Sequence, residues 1–483
     1  MTDFIASQHS VAIVGAGFSG LLLALQLVRK GPPDLTVALI ERTPGFGLGV
    51  AYATHNPEHL LNVRAHNMSP FPDQPRGLQD WLEQETGAPV DDGAFVSRAT
   101  YGRYLRTLLA DVIGDPDSAA RLRLAPDEAV DLAQAGDGKI TITLAMGAKI
   151  QADAAVLAIG AMGTAAPCPG LDTLPRGLYA ADPWAPAALD ELDEDAPVLL
   201  LGTGLTMVDV ALSLARRGHR GKILALSRRG LAPRSHADNR SAHHGTHSMA
   251  PMGLSQLVRW VRHSAAEIGW RAAIDSLRPH TQRIWREASL VERRRFLRHL
   301  RPWWDVHRHR MAPPVAAKIE GLRVAGRLDI AAGRLIGAEP ADEASAAVAV
   351  AWRERGDGGE TRKTFGRVIN CTGSGSNMRG AHAGLIRALI ERGEARIDCL
   401  GLGLDVDGAG RLHAGDGALQ PNLFALGPIT RGAFWESMAV PDIRIQAANL
   451  AERLVGAQSS GAQAPARTER HTPQPAGSFD RVR

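Results

Sequence analysis

Residues 11–41 read VAIVGAGFSGLLLALQLVRKGPPDLTVALIE, and this stretch decides the fold. An apolar strand over Val11–Val14 runs into Gly15, Gly17 and Gly20, spaced G-x-G-x-x-G, at the point where a helix begins. In this motif the first glycine permits a tight turn, the second lets the backbone approach a pyrophosphate, and the third lets the helix pack close to the strand. The helix N-terminus then binds phosphate through its free N–H groups and its dipole. The stretch predicts a dinucleotide-binding βαβ unit.

A carboxylate follows the second strand of this unit. Leu35–Ile40 ends in Glu41, which lies 21 residues after Gly20. A carboxylate at this position accepts hydrogen bonds from a ribose 2′-OH and repels a 2′-phosphate. The alternative, an ordinary glycine-rich turn between a strand and a helix, does not explain an acid at this distance. We therefore expect the first nucleotide to be FAD or NAD and not NADP.

The composition is that of a soluble globular protein. The chain has 483 residues, of which 45% are hydrophobic and 22% charged, and this length allows about two or three domains. The uncharged run Val11–Val28 carries the glycine motif, which favours a buried strand and helix over a membrane span or a signal peptide. Cys168, Cys371 and Cys399 lie far apart without a C-x-x-C motif. This spacing argues against a zinc site and a secreted disulfide framework and favours a reducing cytoplasm.

A second unit of the same kind occurs in the middle of the chain. Its strand, phosphate turn, helix and following strand are predicted over Val198–Leu201, Gly202–Thr206, Thr206–Arg217 and Lys222–Ser227. Gly202 and Gly204 keep the spacing of the phosphate turn, and Thr206 opens the helix. Met207 stands where a third glycine would be, which loosens the packing of helix against strand but leaves the turn intact. This stretch predicts a second dinucleotide site.

Arg228 and Arg229 follow the last strand of the second unit, at the end where the first unit carries Glu41. Guanidinium groups at that end can hold a 2′-phosphate in a bidentate fork. We therefore expect NADPH in the second site. NADH is the alternative, because arginines next to a basic segment can serve another ligand.

Residues 44–69, PGFGLGVAYATHNPEHLLNVRAHNMS, are too apolar and too rich in glycine for a solvated linker. The three early glycines permit close backbone approach, and Asn62 and Met68 can contact a ring system. We expect this loop to fold back onto the first nucleotide. The alternative is a glycine-rich surface loop.

Two further apolar strands end in a glycine. This is typical of a strand that rejoins a parallel sheet and whose carboxyl end lies next to the bound nucleotide, which we call a return strand. They are predicted over Ala152–Gly160 and Val368–Gly373. Helices over Trp81–Glu85 and Tyr101–Ile113 and a β-meander over Leu122–Ile150 precede the first return. A last strand near residue 425 leads into a helix near residue 441.

These elements predict an α/β protein with two Rossmann-like dinucleotide-binding domains, in which an FAD-binding domain carries an inserted NAD(P)H-binding domain with a helical, arginine-rich insertion. The tail is rich in Gly, Ala, Gln, Pro and Ser and is expected to be disordered. The predicted boundaries are 1–190 for the first part of the FAD domain, 191–365 for the NAD(P)H domain with its helical insertion at 231–325, 366–455 for the second part of the FAD domain and 456–483 for the tail.

Positive charge is concentrated in residues 228–310, which contain 17 Arg, no Lys and 6 acidic residues, a net charge of +11. Such a zone usually serves an anionic partner. Within it, His309 and Arg310 follow two tryptophans and precede a Pro-Pro break, so we expect them to line a substrate or nicotinamide pocket. The alternatives are a structural ion-pair cluster and a nucleic-acid surface, although no recognised nucleic-acid-binding fold is present.

Four histidines in this zone invite a metal interpretation. Their spacing is not that of a known ligand set, so solvated loop histidines are favoured and no metal is expected. They are His236, His243, His244 and His247.

In these motifs the chain resembles the two-dinucleotide flavoprotein monooxygenases, and within them the bacterial group that contains FAD-dependent urate hydroxylase and the L-aspartate N-monooxygenases. The resemblance covers residues 8–455 and rests on GLGVAYAT, HLLNVRAHNMS, WWDVHRHRMAPP and GAFWESMAVP. It implies FAD in the first site, a nicotinamide nucleotide in the second, and a terminal helix whose N-terminus points at the flavin. The implied FAD contacts are Gly15, Gly17, Phe18, Ser19, Gly20, Glu41, Arg42, Asn62, Met68, Gly160, Gly373 and Gly427, and the implied nicotinamide contacts are Gly202, Gly204, Thr206, Arg228 and Arg229.

The chain departs from this family in its last flavin motif, which is usually Gly-Asp and here is Gly427-Pro428. The missing C-x-x-C excludes the thiol-disulfide branch of two-dinucleotide flavoproteins. A reduced flavin that meets oxygen in a dry pocket forms a C4a-hydroperoxide, and the protein excludes water and positions the substrate. No side chain need act as a nucleophile, and the catalytic candidates are His309, Arg310 and Trp435.

The sequence thus predicts an FAD-dependent, NAD(P)H-using monooxygenase of the cytoplasm that hydroxylates a small anionic nitrogen-containing substrate, either urate-like or an acidic amino acid. Its expected partners are that substrate and O2, with neither nucleic acid nor membrane. One alternative is a flavin reductase that passes electrons to another acceptor. A second alternative is a nucleotide sensor without enzymatic activity.

Overall fold

The computed structural model of the chain describes residues 9–134, 138–161, 166–237, 252–342, 346–356, 358–373 and 384–461, with side chains as far as 456. Along these ranges, helices alternate with largely parallel sheets. The predicted α/β class, with two dinucleotide-binding units and a helical insertion, is confirmed.

The strands and helices are numbered in chain order. The strands are β1 (His9–Val14), β2 (Leu35–Ile40), β3 (Leu122–Ala125), β4 (Ala129–Gln134), β5 (Ile140–Leu144), β6 (Lys149–Ala152), β7 (Ala154–Leu157), β8 (Tyr179–Ala180), β9 (Val198–Leu201), β10 (Ile223–Ser227), β11 (Leu328–Pro340), β12 (Val348–Glu354), β13 (Glu360–Phe365), β14 (Arg367–Asn370), β15 (Arg411–His413) and β16 (Leu419–Ala425). The helices are α1 (Phe18–Lys30), α2 (Gly49–Tyr52), α3 (Gly77–Thr86), α4 (Arg98–Gly114), α5 (Pro116–Ala119), α6 (Leu205–Arg216), α7 (Leu254–Ile268), α8 (Trp270–Leu277), α9 (Thr281–Glu287), α10 (Leu290–Arg295), α11 (Arg301–Arg308), α12 (Pro313–Val324), α13 (Leu385–Glu391) and α14 (Val440–Gly461).

The first sheet has the strand order β15-β16-β7-β1-β2-β3, and all neighbours are parallel except β15 and β16. Its central strands β7, β1 and β2 are buried on both faces, which explains why they read as continuous apolar runs, whereas β3 and β15 at the edges are partly exposed. Val11 and Ile13 face the core formed with α1 and α14, whereas Ala12 and Val14 face the core formed with β4, β5 and β6. The carboxyl ends of these strands carry the first phosphate turn.

The second sheet has the order β13-β12-β11-β10-β9-β14-β8, and its strands from β11 to β8 are parallel. Strand β14 pairs with β9, with Arg367 opposite Val198 and Asn370 opposite Leu201. The prediction that residues from 366 onward rejoin the first domain is therefore wrong for β14, which closes the second sheet. The strand that rejoins the first sheet is β16, next to β7.

Two further predictions need correction. The β-meander begins at Ala129 and not at Leu122, because β3 instead joins the first sheet as a parallel neighbour of β2. Helix α14 continues to Gly461, so the tail is not disordered from 456, and residues 462–483 lie outside the described ranges. The helix persists because Leu450 and Leu454 pack into the core shared with α1.

Helices α7 to α12 form the predicted insertion between β10 and β11. They pack against the segment 427–437 that follows β16, and the indole N–H of Trp285 donates to the carbonyl oxygen of Gly432 at 2.8 Å. The rings of Trp285 and Trp435 are stacked with centroids 4.6 Å apart. The insertion of the second domain therefore meets the C-terminal part of the first.

Candidate functional site

The first phosphate turn runs from Gly15 to the start of α1 at Phe18. Gly15 has φ +97°, and a Cβ there would lie 2.6 Å from the carbonyl oxygen of Ala158, so no side chain fits. A Cβ on Gly20 would overlap the carbonyl oxygen of Gly15. Helix α1 begins after Gly17 without a side-chain cap, which leaves its first N–H groups open to a phosphate. The residues present therefore fit a pyrophosphate.

Glu41 stands beside this turn. Its Oε2 accepts a hydrogen bond from the N–H of Ala16 at 2.8 Å, and its Oε1 accepts from the N–H and hydroxyl of Thr43 at 3.1 and 2.8 Å. The carboxylate is thereby held where a ribose hydroxyl of a bound nucleotide would donate to it. Its neighbour Arg42 is 70% exposed and lies 3.7 Å from Glu128.

The loop after Glu41 lies over the first phosphate turn. The N–H of Gly47 donates to the carbonyl oxygen of Ala16 at 2.7 Å, and a Cβ on Gly49 would lie 3.1 Å from the Cα of Gly17. Helix α2 and a short 3-10 turn at residues 65–67 interrupt the loop. This placement favours a loop that covers the nucleotide over one that extends into solvent.

Two of the implied FAD contacts inside this loop are held by the rest of the protein. The carbonyl oxygen of Asn62 accepts a hydrogen bond from Nε2 of His236 at 3.0 Å, and burial lowers the pKa of His236 to about 4. Met68 is buried in the first core, and its carbonyl oxygen accepts from the hydroxyl of Tyr101 at 2.8 Å. Within the described ranges, no group of three or more His, Cys, Asp or Glu side chains is placed to hold a metal. The other loop histidines lie outside these ranges: His243, His244 and His247.

Gly427, at the end of the first sheet, packs on α1. It has φ +80°, and a Cβ there would overlap the hydroxyl of Ser19, which is buried as is its neighbour Phe18. The N–H of Gly427 donates to Oε1 of Gln446 at 3.1 Å. The hydroxyl of Thr430 donates to the carbonyl oxygen of Gly427 at 2.7 Å, so Gln446 of α14 and Thr430 are polar side chains that hold this turn, next to Pro428.

The second phosphate turn repeats the first. Gly202 has φ +105°, and a Cβ there would lie 2.5 Å from the carbonyl oxygen of Cys371, which follows β14 as Ala158 follows β7. Helix α6 begins after Gly204 without a side-chain cap, and Gly204 has no heavy atom within 4 Å of an added Cβ. These residues also fit a pyrophosphate. Thr206 lies half-buried in the first turn of α6.

The glycines that end the two return strands are alike. Gly160 follows β7 with φ +76°, and Gly373 follows β14 with φ +80°. Neither has a heavy atom within 4 Å of an added Cβ. Because β14 belongs to the second sheet, Gly373 stands at the edge of the second unit and not at the FAD unit, where the sequence places it.

The register of the second unit reveals a residue that the sequence analysis missed. The N–H of Gly15 donates to the carbonyl oxygen of Ile40, and the N–H of Gly202 donates in the same way to that of Leu226. The residue after Ile40 is Glu41, and the residue after Leu226 is Ser227. Ser227, and not Arg228, therefore occupies the position of the acid. Counting from the predicted strand end alone could not separate these neighbours.

The two arginines after Ser227 differ in their surroundings. Nη2 of Arg229 donates to the carbonyl oxygen of Arg298 at 3.2 Å, which ties the strand end to the insertion. Arg228 is exposed and makes no hydrogen bond or ion pair within the described part of the chain. The sequence predicts that both arginines bind a 2′-phosphate. In the structure Arg228 is the one of the two that has no protein partner among the described residues.

A buried polar network joins the two units. Nη2 of Arg98, on α4, lies 2.8 Å from Oδ2 of Asp209, on α6. Nε2 of His59 lies 2.9 Å from the carbonyl oxygen of Asp209 and 3.0 Å from the hydroxyl of Ser213. Because a carbonyl oxygen only accepts, His59 carries its proton on Nε2, and burial lowers its pKa. The helix behind the second phosphate turn is therefore anchored to the first domain.

A buried charge cluster lies where the insertion meets the C-terminal segment. We use this name for six side chains, of which the first three are buried and the last three half-buried: Arg308, Arg431, Glu436, Arg278, Asp442 and Arg444. Nη2 of Arg308 lies 3.4 Å from Oε2 of Glu436 and 4.0 Å from Oδ2 of Asp442. Arg444 donates through Nη1 to the carbonyl oxygen of Ser69 at 3.0 Å, which connects the cluster to the cofactor loop.

Several buried polar atoms of the cluster have no hydrogen-bond partner among the described residues. The donors are Nη2 of Arg278, Nε and Nη2 of Arg308, Nε of Arg431 and Nε of Arg444, and the acceptors are Oε2 of Glu436 and Oδ2 of Asp442. Buried polar groups in folded proteins are nearly always hydrogen-bonded, so unpartnered donors and acceptors together point to a ligand or ordered water.

Burial is the largest influence on the pKa values of the cluster. Burial, followed by repulsion from Glu436, raises the pKa of Asp442 to about 6. Burial, followed by the charge of Arg301, lowers the pKa of Arg431 to about 10. Burial opposes ionisation of Glu436, but Arg308 and the Trp304 indole N–H, at 2.9 Å, hold its pKa below the usual value. Four guanidinium groups thus face two carboxylates.

The three catalytic candidates have different surroundings. Arg310 is buried, pairs with Asp275, donates to the carbonyl oxygen of His307 at 2.9 Å and lies over the ring of Trp270. These contacts favour the structural ion-pair interpretation for this arginine. His309 adjoins the cluster, and burial lowers its pKa.

Trp435 is buried against the cluster. The guanidinium of Arg431 lies 4.5 Å from the centroid of its ring, and its indole N–H has no hydrogen-bond partner among the described residues. Trp435 therefore offers a further unsatisfied donor beside the cluster.

Comparison with known proteins supports the first unit directly. Residues 12–162 match the protein family described as FAD-NAD(P)-binding, a range that begins within β1 and contains β2 to β7. This part of the chain is thus an FAD/NAD(P)-binding domain. Among the described residues, no helix is long and apolar enough to cross a membrane.

Two curated relatives are similar over part of the chain. Nitrosuccinic acid synthase of Aspergillus oryzae is 28% identical over 280 residues, which cover 49% of this chain and 42% of that protein. An FAD-binding monooxygenase of Penicillium brasilianum is 26% identical over 220 residues, covering 43% of this chain and 33% of that protein. The chain matches less than half the length of either relative.

Solved structures share the fold over nearly the whole chain. The ornithine N-hydroxylase of Kutzneria sp. 744, solved with reduced FAD, NADP⁺ and L-ornithine, superposes with a TM-score of 0.64 at 14% identity, over 94% of this chain and 100% of that one. L-Lysine 6-monooxygenase of Pseudomonas syringae gives a TM-score of 0.63 at 15% identity, over 93% and 99%. The chain therefore has the two-dinucleotide flavoprotein fold.

Proposed function

We propose that the chain is an FAD-dependent, NAD(P)H-using monooxygenase that hydroxylates a nitrogen atom of a small anionic substrate. The two uncapped helix N-termini at the phosphate turns support the use of two dinucleotides. The similarity to a nitrosuccinic acid synthase and to an ornithine N-hydroxylase supports oxidation at nitrogen. When bound, FAD takes electrons from the nicotinamide and supplies activated oxygen to the substrate. The chain itself holds the substrate and excludes water.

The buried charge cluster is the observation on which the proposed class of substrate depends. Nη2 of Arg278 and Nε of Arg308 have no hydrogen-bond partner among the described residues, whereas Nη2 of Arg308 already lies 3.4 Å from Glu436. These two donors support an anionic ligand, and Oδ2 of Asp442, which accepts no hydrogen bond there, supports a donor on the same ligand. The excess of two guanidinium groups over carboxylates matches a ligand with two carboxylates, and Asp442 matches its ammonium group. We therefore prefer an acidic amino acid to urate, which has no ammonium group.

The direct experiment measures substrate-dependent turnover of the FAD-loaded protein. We expect L-aspartate or L-glutamate to raise NAD(P)H oxidation and oxygen uptake, and mass spectrometry to find one added oxygen atom in the product. Urate should not stimulate turnover. The proposal fails if hydrogen peroxide accounts for all the NAD(P)H oxidised with every substrate tested.

A pair of neighbouring arginines provides matched variants. Arg308→Gln should raise the KM for the amino acid by at least about tenfold, because it removes charge-assisted hydrogen bonds, while flavin reduction without substrate persists. Arg310→Gln should lower the melting temperature with little change in KM, because Arg310 is held by Asp275 outside the cluster. If the Arg310 variant shows the KM effect instead, the substrate lies on the other side of α11.

The pKa of Asp442 gives a further check. With a pKa of about 6, this carboxyl is largely protonated at lower pH and cannot hold an ammonium group. The KM for the amino acid should therefore fall as the pH rises through about 6. Asp442→Asn should remove that change, and a profile identical to wild type would exclude Asp442 from substrate binding.

A further inference from the structure

We propose that Ser227 determines which nicotinamide nucleotide the chain takes, and that it selects a nucleotide with a 2′-phosphate. This inference rests on the proposed function of the second unit. Its basis is the comparison of equivalent positions in the two βαβ units, because both bind a nucleotide through the same turn and differ at the residue that meets the ribose.

The equivalence is set by strand register. In the first unit Val14 pairs with Ile40, and in the second Leu201 pairs with Leu226. The next residue on the first strand of each pair is the turn glycine, and the next residue on the second is Glu41 or Ser227. The register of parallel strands fixes the backbone position of the next residue. The backbone of Ser227 therefore lies beside the second turn, as the backbone of Glu41 lies beside the first.

The partners of the two side chains confirm that they share a place. Glu41 accepts from the N–H of Ala16, the residue after the turn glycine. The hydroxyl of Ser227 lies 2.9 Å from that of Thr203, which again is the residue after the turn glycine. The second unit therefore has a hydroxyl at the position where the first unit has a carboxylate. The negative charge that repels a 2′-phosphate is absent from the second unit at this position.

Ser227 also shapes the segment that follows it. Its Oγ accepts from the N–H of Gly230 at 3.0 Å, and the hydroxyl of Thr203 reaches the carbonyl oxygen of Leu231 at 2.5 Å. These bonds close a turn over residues 227–231, with Gly230 at φ +60°. The turn carries Arg228, which is exposed and has no protein partner within the described ranges. A neutral residue followed by an available guanidinium is the arrangement that a 2′-phosphate requires.

The test separates charge from size with an isosteric pair. Binding of 2′,5′-ADP and 5′-ADP to the oxidised, FAD-loaded protein is measured by calorimetry for wild type, Ser227→Glu, Ser227→Gln and Ser227→Ala. Wild type should bind 2′,5′-ADP at least about tenfold more tightly than 5′-ADP. Ser227→Glu should lose or reverse this preference, whereas Ser227→Gln and Ser227→Ala should keep most of it.

A second readout is the rate of anaerobic flavin reduction by NADPH and NADH in the same proteins, with FAD content and melting temperature as folding controls. Equal binding of the two probes by wild type would overturn the inference, and this result needs no variant to fold. Equal loss of preference in the Glu and Gln variants would overturn it as well. If the probes behave as expected but neither nucleotide reduces the flavin, the proposed function fails and the inference about Ser227 stands.

Discussion

The N–H of Gly15 donates to the carbonyl oxygen of Ile40 and the N–H of Gly202 to that of Leu226, so the two dinucleotide units begin in the same way. Both glycines have a positive φ and both face the backbone of a returning strand, β7 in one case and β14 in the other. The helices that follow the turns also share residues at equivalent positions, among them Leu25 and Leu212, and Leu27 and Leu214. The comparison teaches that the geometry of the turn depends on the returning strand as much as on the glycines themselves.

The two units differ five residues after Gly15 and Gly202. Gly20 lets α1 lie close to the first turn, whereas Met207 fills the corresponding place in the second unit and is fully buried in its core. The third glycine of the motif therefore governs how a helix packs, and the phosphate turn forms without it. The divergence at Glu41 and Ser227 concerns the ligand instead.

The largest effects should come from the turn glycines. Alanine at Gly15 or Gly202 is strained at positive φ and also meets a backbone carbonyl, which should cost more than about 3 kcal/mol. Gly15→Ala should lose FAD or fail to fold, as measured by FAD content after purification. Gly202→Ala should stay yellow and lose reduction by NAD(P)H. If both variants lose FAD equally, the two units are not separate binding sites.

The next effect concerns packing. Met207 is fully buried, so Met207→Ala leaves a cavity in the core of the second domain. The free energy of unfolding of that domain should therefore fall by about 2–5 kcal/mol. Denaturant unfolding followed by tryptophan fluorescence measures it. Affinity for 2′,5′-ADP in the still-folded variant should be unchanged. A large loss of affinity would mean that Met207 touches the nucleotide.

A smaller effect is expected at the acid of the first unit. Glu41→Gln keeps an oxygen for the N–H of Ala16 but removes the charge, which should weaken FAD binding by about 1.5–3 kcal/mol. Reconstitution of the stripped protein with FAD, followed by fluorescence, gives the affinity. Glu85→Gln is the matched control, since this exposed carboxylate on α3 lies 4.0 Å from Arg103. Equal weakening in both variants would remove Glu41 from the ribose site.

The smallest effect on stability, but a useful one, is at Gly204. Its φ of −84° suits alanine and no heavy atom lies within 4 Å of an added Cβ. Gly204 is the N-cap of α6, where alanine is less favourable than glycine, so Gly204→Ala should lower the free energy of unfolding by no more than about 1 kcal/mol. A pyrophosphate that approaches the backbone here would nevertheless meet the new methyl group. Unchanged affinity for 2′,5′-ADP would show that the phosphates lie elsewhere.

Much of the fold could be predicted because its elements are local. The apolar runs β2 and β9 and the glycine turns are read from period and spacing within a few residues. The predictions that failed depend on partners distant in sequence. Strand β14 is followed by Gly373, as a return to the first sheet would be followed by a glycine, and only its pairing with β9 shows that it belongs to the second sheet.

The candidate site follows the same rule. The concentration of arginine predicted a cationic zone, but it did not predict which arginines would form ion pairs with acidic residues of the protein. Arg310 is paired by Asp275, whereas Arg308, two residues earlier, faces Glu436 from a segment far along the chain. The sequence placed Arg228 and not Ser227 at the position equivalent to Glu41 for a related reason. Only the hydrogen-bonded register of a strand locates its end to within one residue.

The insertion of one domain into the other sets an order of events during synthesis. The strands β8 to β14 of the second sheet leave the ribosome as one continuous block, ending at Asn370. The first sheet lacks β16 until Leu419–Ala425 have emerged, and it lacks the cover of α14 until later still. We therefore expect the inner domain to resist protease on nascent chains stopped near residue 410, while the outer domain, begun first, is still open to cleavage and unable to retain its flavin.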